Sequence, residues 1–168
     1  MIPPYNGIET YAWQYGMVDY KNKTVLDIGA ANGDTAEFFL LRGAKNIIAV
    51  EGLDSRFLSL QQNVKACSRI LPLHMWLSMK EQYEDLIQVY RPEIVKVDVE
   101  GAEITLFDID NKIWRIIPEF IIEVHSDDLL SRMLTKCKVN SYEVLHCDTW
   151  TRDVSLVYAK ANFTFLLV

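Results

Sequence analysis

The chain has few cysteines, and none of them are closely paired. Cys67, Cys137 and Cys147 are odd in number, widely spaced and free of any C-x-x-C pair. That argues against a disulfide framework and against a cysteine zinc site, and a reducing cytosol is the simplest setting. No apolar run is long enough to cross a bilayer. Met1-Ile2-Pro3-Pro4 lacks a basic region followed by an apolar stretch, so no secretory signal is read and a cytoplasmic location is expected. An excess of positive charge is also missing. Seventeen Lys and Arg stand against 23 Asp and Glu, for a formal net charge of -6. In bulk this repels a phosphate backbone, so nucleic acid is not the favoured partner. Lys21 with Lys23, or Lys136 with Lys138, could still make a local basic patch, but solvated loop and helix-end charge explains them more simply. Repeats, low-complexity tracts and linkers are absent too, so no domain boundary is placed and residues 1–168 read as one domain.

What is present is an ordinary globular composition, 50% hydrophobic and 24% charged. A chain of this size buries roughly 70% of its unfolded surface and needs no metal or disulfide to hold a core. Its pattern alternates. Ile8 to Val18 reads as a helix carrying Tyr11, Trp13 and Tyr15, which serve either as core packing or as a lid. Thr24 to Ile28 is a β-branched apolar run that stops at glycine, the mark of a buried strand. Helices are expected over 34–42, over 55–66 with Ser55 as N-cap, over 80–90, and over 127–136 with Ser126 as cap. A short helix should follow Gly101. Strands are expected over 46–50, 70–76 (weakened by Pro72), 93–97, 119–124 and 142–146, with extended segments at 154–159 and 163–168. The segment Phe163 to Val168 reads as the last strand, with an interface strand of a homo-oligomer as the alternative.

Strands alternating with helices predict an α/β fold, a mostly parallel sheet covered on both faces, closed near the C-terminus by a hairpin with one antiparallel strand. Ligands then bind beyond the carboxyl ends of the strands, at the switch point beside the first strand. The segment Val25 to Asp34 lies there. Gly29 and Gly33 bracket a tight turn, and Glu51 ends the next strand, where an acid can accept both hydroxyls of a ribose. Three residues separate the two glycines, so neither a dinucleotide fingerprint nor a phosphate loop is present. Asp27 puts negative charge beside the loop. That disfavours a pyrophosphate and suits a cationic amino acid or a sulfonium.

The run Asp27-Ile28-Gly29-Ala30-Ala31-Asn32-Gly33-Asp34-Thr35 resembles the first motif of class I methyltransferases, in the variant of FkbM-type enzymes. Ile94-Val95-Lys96-Val97-Asp98-Val99-Glu100-Gly101-Ala102-Glu103 resembles a second FkbM hallmark, K-x-D-x-E-G-x-E. Ile121-Ile122-Glu123-Val124-His125 resembles a third. The three stand in the expected order from Val25 to His125. The resemblance implies a Rossmann-like class I methyltransferase fold with a mostly parallel seven-stranded sheet and an antiparallel strand near the C-terminus. It implies S-adenosyl-L-methionine as cofactor, with contacts from Asp27, Gly29, Ala30, Asn32, Gly33, Glu51 and Asp98, and a sugar-like or other small-molecule hydroxyl as acceptor. Ala31 stands where many such enzymes carry glycine, and its methyl group is expected to be tolerated at negative φ.

Several residues have two readings each. Asp98 either works at the reacting centre or caps the helix expected at Gly101. Lys96, two residues earlier, is costly in a central strand unless paired, and Glu123 is the expected partner. Glu100 and Glu103 are each a cofactor or substrate contact or a first-turn acid that suits the helix dipole, and the dipole reading is favoured for Glu103. His125 is either the base that takes a hydroxyl proton or a histidine bonded at the helix start near Ser126. His74 and His146 read as ordinary strand residues. Asp98, Glu100, Glu123 and His125 could hold a divalent metal, but carboxylates alternating along strands are expected to have partners, and no metal is expected. Trp150 and Arg152, in the loop after the sixth strand, could meet a substrate. Amino-group methylation is less favoured, because Asp98-Val99-Glu100-Gly101 stands where an N-P-P-Y-type motif would be. A catalytically idle binding module and a Rossmann oxidoreductase remain as further alternatives.

Overall fold

A computed structural model describes residues 8–151 and 153–162. The elements in chain order are α1 (Ile8–Tyr15), β1 (Thr24–Ile28), α2 (Asp34–Leu41), β2 (Asn46–Glu51), α3 (Asp54–Val64), β3 (Ile70–His74), α4 (Lys80–Tyr90) and β4 (Ile94–Val97). There follow α5 (Ile104–Phe107), α6 (Asn111–Trp114), β5 (Glu119–Val124), α7 (Asp127–Val139), β6 (Tyr142–Thr149) and β7 (Ser155–Ala161). The strands form a seven-stranded sheet in the order β3-β2-β1-β4-β5-β7-β6. β1 pairs in parallel with β2, and β2 with β3, whereas β7 runs antiparallel to both β5 and β6. This is the Rossmann-like α/β arrangement expected from the alternation. Among the described residues, no helix is long and apolar enough to cross a membrane.

The chain divides into two compact units. The first comprises residues 1–77 and 92–96. Its centre is β1, buried from Val25 through Ile28, with Asp27 the one acid in the run. Tyr15, Tyr20, Phe38 and Phe39 form an aromatic core beside it, with Tyr20 and Phe39 stacked at 4.8 Å. The aromatic trio of α1 is split by helical geometry: Tyr15 is buried and Tyr11 stacks on it, but Trp13 is 63% exposed. A helix can turn only one stripe inward. α1 ends at Tyr15, three residues before the expected stop, where Gly16 takes over. β3 ends at His74 instead of Trp76, and Pro72 is accommodated because β3 is an edge strand. Ser55 does not cap α3. The N-cap is Leu53, and the side chain that satisfies the Leu53 N–H is Glu51, at 2.8 Å.

The second unit comprises residues 78–91 and 97–168. α4 begins where the Gln82 side chain accepts the N–H groups of Ser78 and Met79, and it ends at Arg91 in the left-handed region, just before Pro92. α7 opens as expected: Ser126 accepts the Leu129 N–H, with Asp127 and Asp128 in the first turn and Lys136 and Lys138 in the last. That charge order follows the helix dipole. The Lys136 ammonium is also bonded to the Ile109 carbonyl and the Asn111 side chain. Trp114, Phe120 and Tyr142 pack edge to face and tilted in the core, and the Tyr142 hydroxyl donates to the carbonyls of Trp114 and Ile117. Glu119 is buried on β5 and neutralised by Lys160 at 3.3 Å and the Tyr158 hydroxyl at 2.9 Å. β6 runs on to Thr149 through a bulge between Val144 and His146. The segment 163–168 and Arg152 lie outside the described residues.

Candidate functional site

In the first unit the glycine turn is held by backbone bonds. The N–H groups of Gly29 and Ala30 both donate to the Val50 carbonyl, and the Gly33 N–H donates to the Ala30 carbonyl at 2.8 Å. Gly29 and Gly33 take φ of 78° and 93°, which glycine adopts without strain. Gly33 is fixed by space as well, since a Cβ there would stand 2.9 Å from the Leu60 side chain. Ala31 departs from expectation: its φ is 47°, in the left-handed region and not at negative φ. The turn therefore carries an alanine in a conformation that suits glycine. An N–H bond from Ala31 to Glu51 Oε2, at 2.9 Å, helps to hold it there.

Glu51 is buried at the end of β2 and uses both oxygens. Oε2 takes the Ala31 N–H and Oε1 takes the Leu53 N–H. The carboxylate thus ties the turn to the start of α3, and each oxygen keeps a further lone pair for a hydroxyl donor. Asn32 is exposed, with its carbonyl bonded by the Asn63 amide.

Asp27 is fully buried. Its Oδ2 accepts the Thr35 hydroxyl at 2.6 Å, and its Oδ1 lies 3.1 Å from Lys96 Nζ. Lys96, 1% exposed, also donates to the Gly29 carbonyl at 3.0 Å. Asp27 is thus an acid partner of this lysine, one that the sequence reading does not name. The signal that could have found it is the neighbourhood of β1 and β4 in a Rossmann-like strand order. The Asp27 charge is compensated inside the protein, and the pair braces the floor of the turn.

In the second unit Asp98, Glu123 and His125 each place a ligand-capable atom within 4.8 Å of the others, all three half-buried. The sequence named these residues, and the fold gathers them at the carboxyl ends of β4 and β5. Such a set has the chemistry to hold a divalent cation or to accept a proton. Asp98 is not a helix cap. The helix begins at Ile104, with Glu103 at its N-cap position. Between them Glu100 and Gly101 take φ of 54° and 100°, making a turn closed by the Ala102 N–H on the Val99 carbonyl.

Glu103 stands at the N-cap position of α5, at the helix start expected for it, and is fully buried. Its Oε1 accepts the N–H groups of Gly101 at 3.2 Å and Val99 at 3.4 Å, and lies 2.7 Å from His125 Nδ1. His125 is therefore bonded to Glu103, not at the helix start by Ser126. On its other side, His125 Nε2 stands 3.6 Å from Glu100 and 3.9 Å from Glu123. The Tyr83 hydroxyl is buried in this unit, and burial first, then the Glu103 charge, pushes its ionisation up to about 12.

His74 stands opposite Glu51 across the β2–β3 pair, stacks on Phe57 at 4.5 Å and pairs with the exposed Asp54. His146 is an ordinary residue of β6. Trp150 is half-buried in the turn after β6, its N–H bonded to the Val154 carbonyl.

No family model matches the chain. It is 31% identical over 97 residues to an uncharacterized protein, 158B, of Sulfolobus islandicus rod-shaped virus 1, covering 55% of this chain and 56% of that protein. It is 31% identical over 96 residues to an uncharacterized protein, 65, of a Sulfolobus islandicus filamentous virus, covering 55% of each. The chain thus spans about half the length of the curated relatives it matches. Among solved structures it resembles Aeropyrum pernix fibrillarin with natively bound S-adenosyl-L-methionine, with a TM-score of 0.65 and 19% identity, over 84% of this chain and 68% of that one. It also resembles a ribosomal protein L11 methylase of Lactobacillus delbrueckii, with a TM-score of 0.61 and 19% identity over 93% and 75%. A third is the tRNA methyltransferase TrmK of B. subtilis, with a TM-score of 0.65 and 14% identity over 96% and 68%. At these identities the likeness establishes the architecture: the chain has the Rossmann-like α/β fold of these methyltransferases, with a mostly parallel seven-stranded sheet and an antiparallel C-terminal pair.

Proposed function

We propose that the chain is an S-adenosyl-L-methionine-dependent methyltransferase acting on a hydroxyl of a sugar-like or other small molecule. The observation that carries this reading is the Gly29–Gly33 turn clasped by Glu51 at the end of β2, in a fold shared with methyltransferases. The residues present fit the cofactor. Gly29, Ala30, Asn32 and Gly33 offer a tight backbone cradle, and Glu51 keeps lone pairs for a ribose diol. Asp27 acts through the turn that it and Lys96 brace. When bound, the cofactor supplies a methyl on a positively charged sulfur, already activated for in-line displacement.

The protein's own work is then to align the acceptor and remove its proton. His125 Nε2 would take the proton of the acceptor hydroxyl. Asp98 orients the acceptor, and Glu100 faces the histidine that becomes positively charged. The K-x-D-x-E-G-x-E run and the Glu-Val-His end of β5 support the FkbM-like subtype and an oxygen acceptor. Nitrogen methylation of nucleic acid or protein is the second reading, favoured by the tRNA and ribosomal protein enzymes among the structural relatives. Against it stand the carboxylates of Asp98, Glu100 and Glu123, which repel a phosphate chain.

Calorimetry with S-adenosyl-L-methionine and its demethylated product tests the core of the proposal. Binding is expected, and it should weaken at least ~10-fold in Glu51→Ala, the loss of about 1.4 kcal/mol or more that one charge-assisted hydrogen bond commonly supplies. Folded protein that binds neither compound would sink it. A thermal shift with NAD in place of these compounds would point to an oxidoreductase. Binding without transfer to any sugar, RNA or protein acceptor would point to an idle module.

A further inference from the structure

Glu103 has no part in the transfer as described, yet it is a fully buried carboxylate. Burying a charge is costly unless hydrogen bonds compensate it. Its Oε2 has no hydrogen-bond partner among the described residues. All of its bonds run through Oε1, and the shortest, 2.7 Å, goes to His125 Nδ1. Oε1 already accepts two backbone N–H groups and so acts as an acceptor. Nδ1 therefore donates in this bond, and a ring that carries one proton has its lone pair at Nε2.

On the other side of the ring the Glu100 and Glu123 carboxylates stand 3.6 and 3.9 Å from Nε2, beyond hydrogen-bond range, with Asp98 in the same cluster. Among the described residues, the ring's hydrogen bond is therefore the one at Nδ1. The backbone N–H groups of Val99 and Gly101 hold the Glu103 carboxylate in place, so the grip on the imidazole is prearranged by the turn that carries Glu100.

We infer that Glu103 is a positioning residue that holds His125 in its Nδ1–H tautomer, leaving Nε2 as the atom that accepts the acceptor's proton. The catalytic meaning rests on the proposed transfer, but the tautomer itself does not. When Nε2 takes a proton, the ring becomes an imidazolium flanked by Glu103, Glu100 and Glu123, which stabilise the new charge. The proton later leaves to water.

The test is a long-range proton–nitrogen NMR spectrum of the full chain with ¹⁵N-labelled histidine, at a pH where the ring shifts have stopped changing. His125→Asn identifies its signals against those of His74 and His146. The wild-type ring should show a protonated Nδ1 and an unprotonated Nε2. In Glu103→Gln the amide can donate, and the proton should move to Nε2, while Glu103→Asp should retain Nδ1–H. A wild-type proton on Nε2, or a Glu103→Gln ring unchanged from wild type, overturns the inference. If Glu103→Gln does not fold, the wild-type and Glu103→Asp spectra decide alone. With an acceptor in hand, Glu103→Gln should lower kcat by ~10²–10⁴-fold, the range of general-base catalysis, with cofactor affinity unchanged. A purely structural role would instead weaken both. The expected tautomer in protein that binds no S-adenosyl-L-methionine would leave this inference standing and the proposed function refuted.

Discussion

The glycine turn and the histidine cluster are built by different means. At the turn, charged side chains serve the backbone: Lys96 holds the Gly29 carbonyl, and Glu51 holds the N–H groups of Ala31 and Leu53. At the cluster, side chains meet side chains, and the shortest bond ties Glu103 to His125. The first arrangement makes a cradle whose shape follows from a contiguous segment and the next strand. The second depends on residues 22 positions apart reaching one point. A turn can thus be written locally, while a cluster of side chains needs the fold to gather it.

The comparison is broken hardest at Asp27. Asp27→Ala leaves the buried Lys96 ammonium without its described acid and should cost about 3–5 kcal/mol of stability, read from urea unfolding. A loss under ~1 kcal/mol would mean that the pair does not brace the turn.

Alkali should strain the unit that holds the cluster. Burial pushes the Cys137 thiol from its ordinary 9.0 up to about 12, and burial with the Glu103 charge pushes Tyr83 from 10.0 up to about 12. Both groups are neutral when folded and ionise at lower pH when unfolded. Their contribution is therefore complete below the unfolded values and is lost as the pH rises through that window to about 12. The denaturation midpoint should fall across it. In the folded chain at about pH 8, iodoacetamide should label the exposed Cys147 and spare Cys137, since only a thiolate reacts readily. Equal labelling would contradict the burial.

Ala31→Gly gives the smallest effect. Relief of a left-handed alanine is worth about 1–2 kcal/mol, and the added chain entropy of glycine offsets about 0.5–1 kcal/mol. A net gain of up to about 1.5 kcal/mol should appear as a melting temperature a few degrees higher. A lower melting temperature would show that the Ala31 methyl group makes contacts worth more than its strain.

Much of the fold could be read locally. β1 and β5 span the residues that their apolar runs mark, and Ser126 caps α7 through its own hydroxyl. Where reading failed, something distant had intervened. Ser55 is not the cap because α3 already begins at Asp54, with Leu53 at the N-cap and its N–H held by Glu51 from the preceding strand. α6 went unread because a four-residue helix shows no periodicity and is held by burial of Ile113 and Trp114. β6 outran its apolar stretch because β7 supplies backbone partners as far as Thr149. At the candidate site, Asp98, Glu100, Glu123 and His125 were visible as residue types at strand ends. Glu103 was not, because an acid after Gly101 looks the same in sequence whether solvated or fully buried.

The sequence by itself determined the alternation of strands and helices, the glycine turn and the acid that closes β2, since each depends on neighbours within a few residues or on periodicity along the chain. Only the tertiary structure decided which charge meets which: Lys96 with Asp27, Glu103 with His125, Glu51 with two backbone N–H groups. Buried charges must find partners at hydrogen-bond distance, and the folded chain, not the order of its residues, sets those distances.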